Sequence, residues 1–100
     1  MNIGSIYTVK KFYWLRFPTR KIALERMECG TPDAAPHPAV TAYYSRQYNC
    51  EVTYFSPNEY IVFLEEEGEL KNVLTSDGKI GWTWVNKTYN NDFEEVKTEQ

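Results

Sequence analysis

Two cysteines and one histidine are the residues of this chain best suited to covalent chemistry. Cys29 and Cys50 flank His37, and a thiol beside an imidazole is the pairing that makes a nucleophile. The same three side chains could also ligate a soft metal. His37, however, stands between Pro36 and Pro38, in a segment where nothing holds a base in register. Cysteines used this sparingly serve more often as small apolar fillers. Two cysteines and one histidine also undersupply a four-ligand zinc site or a disulfide framework. There is no phosphate-binding P-loop, no Gly-x-Gly-x-x-Gly and no Gly-x-Ser-x-Gly. Catalysis is not expected.

The acidic residues offer a second chemistry. Glu65, Glu66, Glu67 and Glu69 cluster, Asp77 belongs to an Asp-Gly pair, and Asn90, Asn91, Asp92, Glu94 and Glu95 follow. Calcium takes six to eight oxygen ligands, and Glu65, Glu67, Asp77, Asp92 and Glu94 are the candidates for such a site. Their spacing matches no EF-hand loop, so the site expected is weak and irregular. The plainer reading is a set of solvated turns.

A third chemistry lies in Lys10-Lys11-Phe12-Tyr13-Trp14-Leu15-Arg16, with Arg20, Lys21 and Arg26 following. Rings interleaved with cations suit single-stranded nucleic acid, where bases stack and phosphates meet charge. Residues 1–30 carry six basic against two acidic groups, while residues 61–100 carry four against nine. The chain as a whole is acidic, with net charge −3 and pI about 5.1, which disfavours a nucleic-acid partner. The two ends attract one another in a compact fold, or give the surface a basic and an acidic side.

These residues must be positioned by a single domain, since 100 residues with 42% hydrophobic and 16% aromatic content suit one core. Ser5-Ile6-Tyr7-Thr8-Val9 alternates as a strand, and Phe12 to Phe17 is β-prone until Pro18. Thr19 can cap a helix over 19–29, built of good helix formers, with Gly30 suited to the position past its end. Residues 30–38 hold three prolines and one glycine and must form a connection. Residues 39–48 place Val40, Tyr44 and Tyr48 at helical spacing. Their tyrosines and threonine favour a strand, but a helix ending at Asn49 fits better. Strands are expected at 50–55, 60–64, 70–75 and 80–85, separated by turns at 56–59, 65–69 and 76–79. In the last of these turns Asp77-Gly78 supplies the positive φ of a tight hairpin. A polar connection over 86–92 and a last short strand at 93–96 complete the chain. Five or six short strands in hairpin order, with two short helices, make a small antiparallel barrel or sandwich of the α+β kind.

Such a domain cannot hide sixteen rings. Successive strand residues face opposite ways, so Tyr60, Val62 and Leu64 point one way while Ile61 and Phe63 point the other. Both faces are apolar, and the outer one must be covered by the inserted helices or by a partner.

The stretch Val73-Leu74-Thr75-Ser76-Asp77-Gly78-Lys79-Ile80-Gly81-Trp82-Thr83-Trp84-Val85 resembles the last hairpin of Src-homology-3-like domains, where Gly-Trp opens a strand. Gly4 to Val9 resembles their first strand. The resemblance covers about half of the chain. It implies a small barrel used for binding, with the helices and proline loop, about 16–49, as an enlarged insertion after the first strand. Eukaryotic members bind proline-rich peptides in an aromatic groove that uses an Ala-Leu-Tyr-Asp-Tyr motif this chain lacks; Trp82 and Tyr7 alone map onto the family's aromatic positions. The expectation is a non-enzymatic module that binds a partner protein through Tyr7, Tyr54, Trp82 and Trp84, with an acidic rim at Glu66. No cofactor other than calcium is implied. Residues 1–11 lack the apolar core of a signal peptide and no run approaches a membrane span, so a cytoplasmic protein is expected.

Overall fold

A computed structural model of the chain describes residues 2–29 and 40–96. The order is β1 (Ile6–Val9), β2 (Trp14–Arg16), α1 (Arg20–Glu28), α2 (Val40–Tyr48), β3 (Thr53–Phe55), β4 (Tyr60–Glu67), β5 (Leu70–Leu74), β6 (Ile80–Trp84), a 3₁₀ segment (Lys87–Asp92) and β7 (Phe93–Glu95). Two short helices and seven strands make a mainly β, α+β architecture. All strand pairs are antiparallel. Five strands form one sheet in the order β6-β5-β4-β1-β7, and β2 and β3 form a small second sheet. The two are joined at one point. Phe17 N–H donates to the Trp82 carbonyl at 2.8 Å, and Trp82 N–H donates back at 2.7 Å. Among the described residues no helix is long and apolar enough to cross a membrane.

Alternation sorts the apolar residues into two cores. Tyr7, Val9, Trp14, Phe55, Ile61, Phe63, Val73, Val85 and Phe93 fill the space between the two sheets. Leu15, Phe17, Ala23, Val52, Leu70 and Trp84 form the second core, under α1, which packs on β5 and β6. The helix begins where the Thr19 hydroxyl accepts from Ile22 N–H at 3.4 Å and closes with Cys29 N–H on the Glu25 carbonyl at 3.1 Å. Its partner α2 rests on a few fixed points. The Ser45 hydroxyl bonds both the N–H and the carbonyl of Val52 at 3.0 and 3.3 Å. Arg26 lies 4.5 Å above the Tyr44 ring. Asn49, at φ 51°, ends the helix, as an asparagine can do at modest cost.

One expected turn is displaced. The four residues Glu65, Glu66, Glu67 and Glu69 were expected to leave the sheet, yet β4 runs through Glu67. A bulge between Phe63 and Glu65 resets the register so that Glu66 faces Lys71 and Glu67 faces Leu70. The Glu66–Lys71 ion pair at 3.1 Å secures this end. The loop then shrinks to Gly68-Glu69, and Gly68 at φ 58° supplies the left-handed conformation it needs. Residues 30–39, with the proline loop and His37, lie outside the described residues, and with them the Cys–His pairing. Cys29 is exposed and Cys50 half-buried, both as free thiols; burial pushes the Cys50 thiol up.

Candidate functional site

Directly opposed residues on neighbouring strands share a face. The register pairs Ile6 with Val62, Val62 with Leu74 and Leu74 with Ile80. Val96, just past β7, donates its N–H to the Ile6 carbonyl at 2.8 Å and carries the line to the fifth strand. Val96, Ile6, Val62, Leu74 and Ile80 thus form one apolar row across the whole outer face of the large sheet. At a strand spacing of about 4.8 Å the row is roughly 19 Å long. Ile80 is 62% exposed and Ile6 38%, while Val62, Leu74 and Val96 are half-buried. Tyr60, 59% exposed, flanks it on β4, two residues from Val62 and on the same side.

Ile80, Trp82 and Trp84 lie on one face of β6, and α1 decides their fates. It covers the Trp84 end, where Trp84 and Leu70 are buried, and leaves Trp82 half-covered. It does not reach Ile80. Helix α1 therefore covers the Leu70–Trp84 end of the outer face, while Ile80, Ile6 and Tyr60 stay exposed.

No protein family, curated protein or solved structure matches this chain.

The five residues expected to bind a partner do not form one surface. Tyr7 is 5% exposed; it points into the first core, edge-on to Phe63 at 4.8 Å, and its hydroxyl accepts from Asn2 N–H at 2.8 Å. Trp84 is 3% exposed and donates its indole N–H to Glu69 at 3.4 Å. Tyr54 is exposed, but on the small sheet, where it meets Tyr13 edge-to-face at 5.4 Å. Glu66 sits at the far hairpin with Lys71. The aromatic assignment fails at Tyr7 and Trp84 because large rings contribute most to a small core and take the inside positions. The residues missed, Ile6, Val62, Leu74 and Ile80, are aliphatic. The apolar alternation of both faces of β4, and the tight Asp77-Gly78 turn that sets Leu74 opposite Ile80, were the signals for them.

The five candidate calcium ligands are likewise dispersed. Glu65 accepts from the Asn72 amide at 3.3 Å, Glu67 pairs with Arg20, and Glu94 lies 3.9 Å from Lys10. Asp92 is buried. Its carboxylate accepts from Lys11 N–H at 2.8 Å, Phe12 N–H at 3.3 Å and the Trp14 indole N–H at 2.9 Å. It is a structural clasp for the loop between β1 and β2. Among the described residues no three of His, Cys, Asp and Glu gather as a metal site.

Asp77 belongs to a network at the β5–β6 turn. Arg16, 5% exposed, donates to Asp77 at 3.0 Å and lies 4.0 Å from Glu51, which pairs with Lys79 at 2.8 Å. The Thr75 hydroxyl holds the Asp77 carboxyl below the usual carboxylate range against the effect of burial, helped by the Lys79 amide and Arg16. Lys79 does the same for Glu51.

The basic and aromatic run turns inward. Trp14, Leu15 and Arg16 are buried, and Phe12 meets Tyr89 edge-on at 5.5 Å. Lys10 and Lys11 remain on the surface, beside a shallow cleft of about 290 Å³ that Phe12 and Tyr89 help to line. A larger cleft of about 460 Å³ lies between Met27, Gly68, Lys71, Lys87 and Asn90, with its acids Glu66 and Glu67 paired to Lys71 and Arg20 and Glu69 accepting from the Trp84 indole N–H.

Proposed function

We propose that this chain is a non-enzymatic protein-interaction module that works through the uncovered half of its outer sheet face. The observation that carries the reading is the row Val96–Ile6–Val62–Leu74–Ile80. An apolar line crossing five strands, beside an exposed tyrosine, leaves ordered surface in water that a partner would dehydrate. Isolated exposed aliphatics are ordinary; a contiguous row in register is not.

We read the fold as a Src-homology-3-like barrel. In support, β2, α1, α2 and β3 all fall between the first strand and the second strand of the large sheet, where that family carries its long loop. Gly81-Trp82 also lies in the strand after the Asp77-Gly78 hairpin. The acidic rim of the expected surface moves with the site, from Glu66 to Glu94 at the β7 end of the row. Two free cysteines suit a reducing, cytoplasmic compartment.

Affinity capture from the native host, with wild type and Ile80→Glu as baits, tests the reading. A protein retained by wild type and lost from Ile80→Glu is expected. Equal capture by both baits would sink it.

A further inference from the structure

We propose that α2 is a latch over the free edge of β3, with the Ser45 hydroxyl as its catch, and that it opens as a unit while both sheets stay folded. The device is independent of the apolar row.

The free edge follows from the backbone. Phe17 exchanges both its backbone bonds with Trp82, so Phe17 and Leu15 turn their N–H and C=O groups toward β6. Successive residues of a strand turn these groups to opposite sides, so Trp14 and Arg16 turn theirs toward β3. Their partners there are Phe55 and Thr53. Val52, Tyr54 and Ser56 therefore carry the outward groups of β3, which pairs with β2 alone among the described strands.

Side chains close both ends of that edge. At one end Glu59 accepts from Ser56 N–H at 3.0 Å. At the other the Ser45 hydroxyl accepts from Val52 N–H at 3.0 Å and donates to the Val52 carbonyl at 3.3 Å. A residue of a third strand would offer Val52 the same two bonds. Helix α2 and an added strand thus exclude each other at this residue, and while the helix is down the edge is guarded against pairing.

The latch is lightly held. No residue of α2 is buried, whereas Val52, which it guards, is 4% exposed. Tyr44 and Tyr48 rest edge-on against Phe17 at 6.2 and 6.5 Å, and Arg26 lies over the Tyr44 ring. The strands of the large sheet are instead tied by Ile61, Phe63 and Val73, all within the first core. An element with few buried contacts opens locally at far less cost than the whole domain unfolds.

Amide hydrogen exchange of the full chain, read residue by residue by NMR, tests this. The Val52 amide belongs to the small sheet by position, but its acceptor is on α2. It should share one protection factor with the amides of α2, about 100-fold or more below that of the β5 amides. Phe55, bonded to β2, should be protected about tenfold or more above Val52. Ser45→Ala should speed exchange at Val52 about tenfold or more and leave Phe55 and β5 as they are, while Ser45→Thr, which keeps the hydroxyl, should stay within about threefold of wild type. Val52 protected as strongly as Phe55, or α2 as strongly as β5, overturns the proposal. So does protection that fades residue by residue from the ends of α2, which is fraying and not a unit opening. So does a Ser45→Ala chain in which Val52 exchanges no faster. The wild-type comparison needs no variant, so a folding defect in Ser45→Ala leaves the test standing.

Discussion

The side chain of Arg16 lies directly over the α-carbon of Gly81. A β-carbon there would stand 2.7 Å from Arg16 Cδ and 2.8 Å from the Phe17 carbonyl oxygen. That carbonyl is fixed by the bond it accepts from Trp82 N–H at 2.7 Å, and the arginine is held by Asp77. Glycine at 81 is thus demanded by close approach. Gly81→Ala should destabilise the domain by about 1–3 kcal/mol, a fall in Tm of several degrees or more. Calorimetry showing an unchanged Tm would refute this packing.

Asp92 should behave as a clasp. Asp92→Ala leaves three N–H donors without their acceptor, two on the backbone and one on the Trp14 ring, and should cost about 2–4 kcal/mol. Asp92→Asn should recover only part, because its amide turns a donor toward donors. Urea denaturation of both variants decides; equal stability of wild type and Asp92→Ala would show the loop to be held otherwise.

Much of this fold is legible from local chemistry. Thr19 before a run of helix formers marks α1, and Asp77-Gly78 marks the last hairpin of the large sheet. The strand β4 is longer than its apolar part because loop length and the left-handed Gly68 set where a hairpin turns, not the solubility of three glutamates. The candidate site was harder to read. Parity puts Tyr7 and Ile6 on opposite faces but does not say which is inside. That depends on where α1 comes to rest, and α1 is fixed by contacts between residues far apart in the chain.

The titration of Asp77 and Glu51 gives stability an acid edge. Both carboxyls sit below their ordinary values of 3.8 and 4.5 in the folded chain. The unfolded chain therefore binds more protons as pH falls. Their contribution is present above the ordinary carboxylate range and is lost as pH drops through the folded values. Urea midpoints of wild type should decline from pH 5 to pH 3 more steeply than those of Asp77→Asn/Glu51→Gln. Parallel declines would remove the network from the acid response.

The tryptophans should report the two cores. Trp14 and Trp84 are 0% and 3% exposed, whereas Trp82 is half-covered. Acrylamide should quench part of the wild-type fluorescence and very little of that of Trp82→Phe. Strong quenching of the variant would mean that α1 does not cover Trp84.

Stability and binding should separate along the row. Ile80 is 62% exposed, so Ile80→Glu should change the unfolding free energy by no more than about 0.5 kcal/mol. Tyr7→Ala, which empties a core position, should cost about 3–5 kcal/mol. Chemical denaturation of the two variants side by side checks the contrast. A large loss in Ile80→Glu would make the row part of the core.

The place of β1 has a consequence for synthesis. It pairs on one side with β4 and on the other with β7, the last described strand to leave the ribosome. Until residues 92–96 emerge, the Ile6 carbonyl and the Lys10 amide, which bond Val96 and Asp92 in the folded chain, lie bare to any neighbouring nascent chain. This domain completes its large sheet only once Phe93–Glu95 is in place, and a ribosome stalled before Phe93 would hold a chain with an open seam.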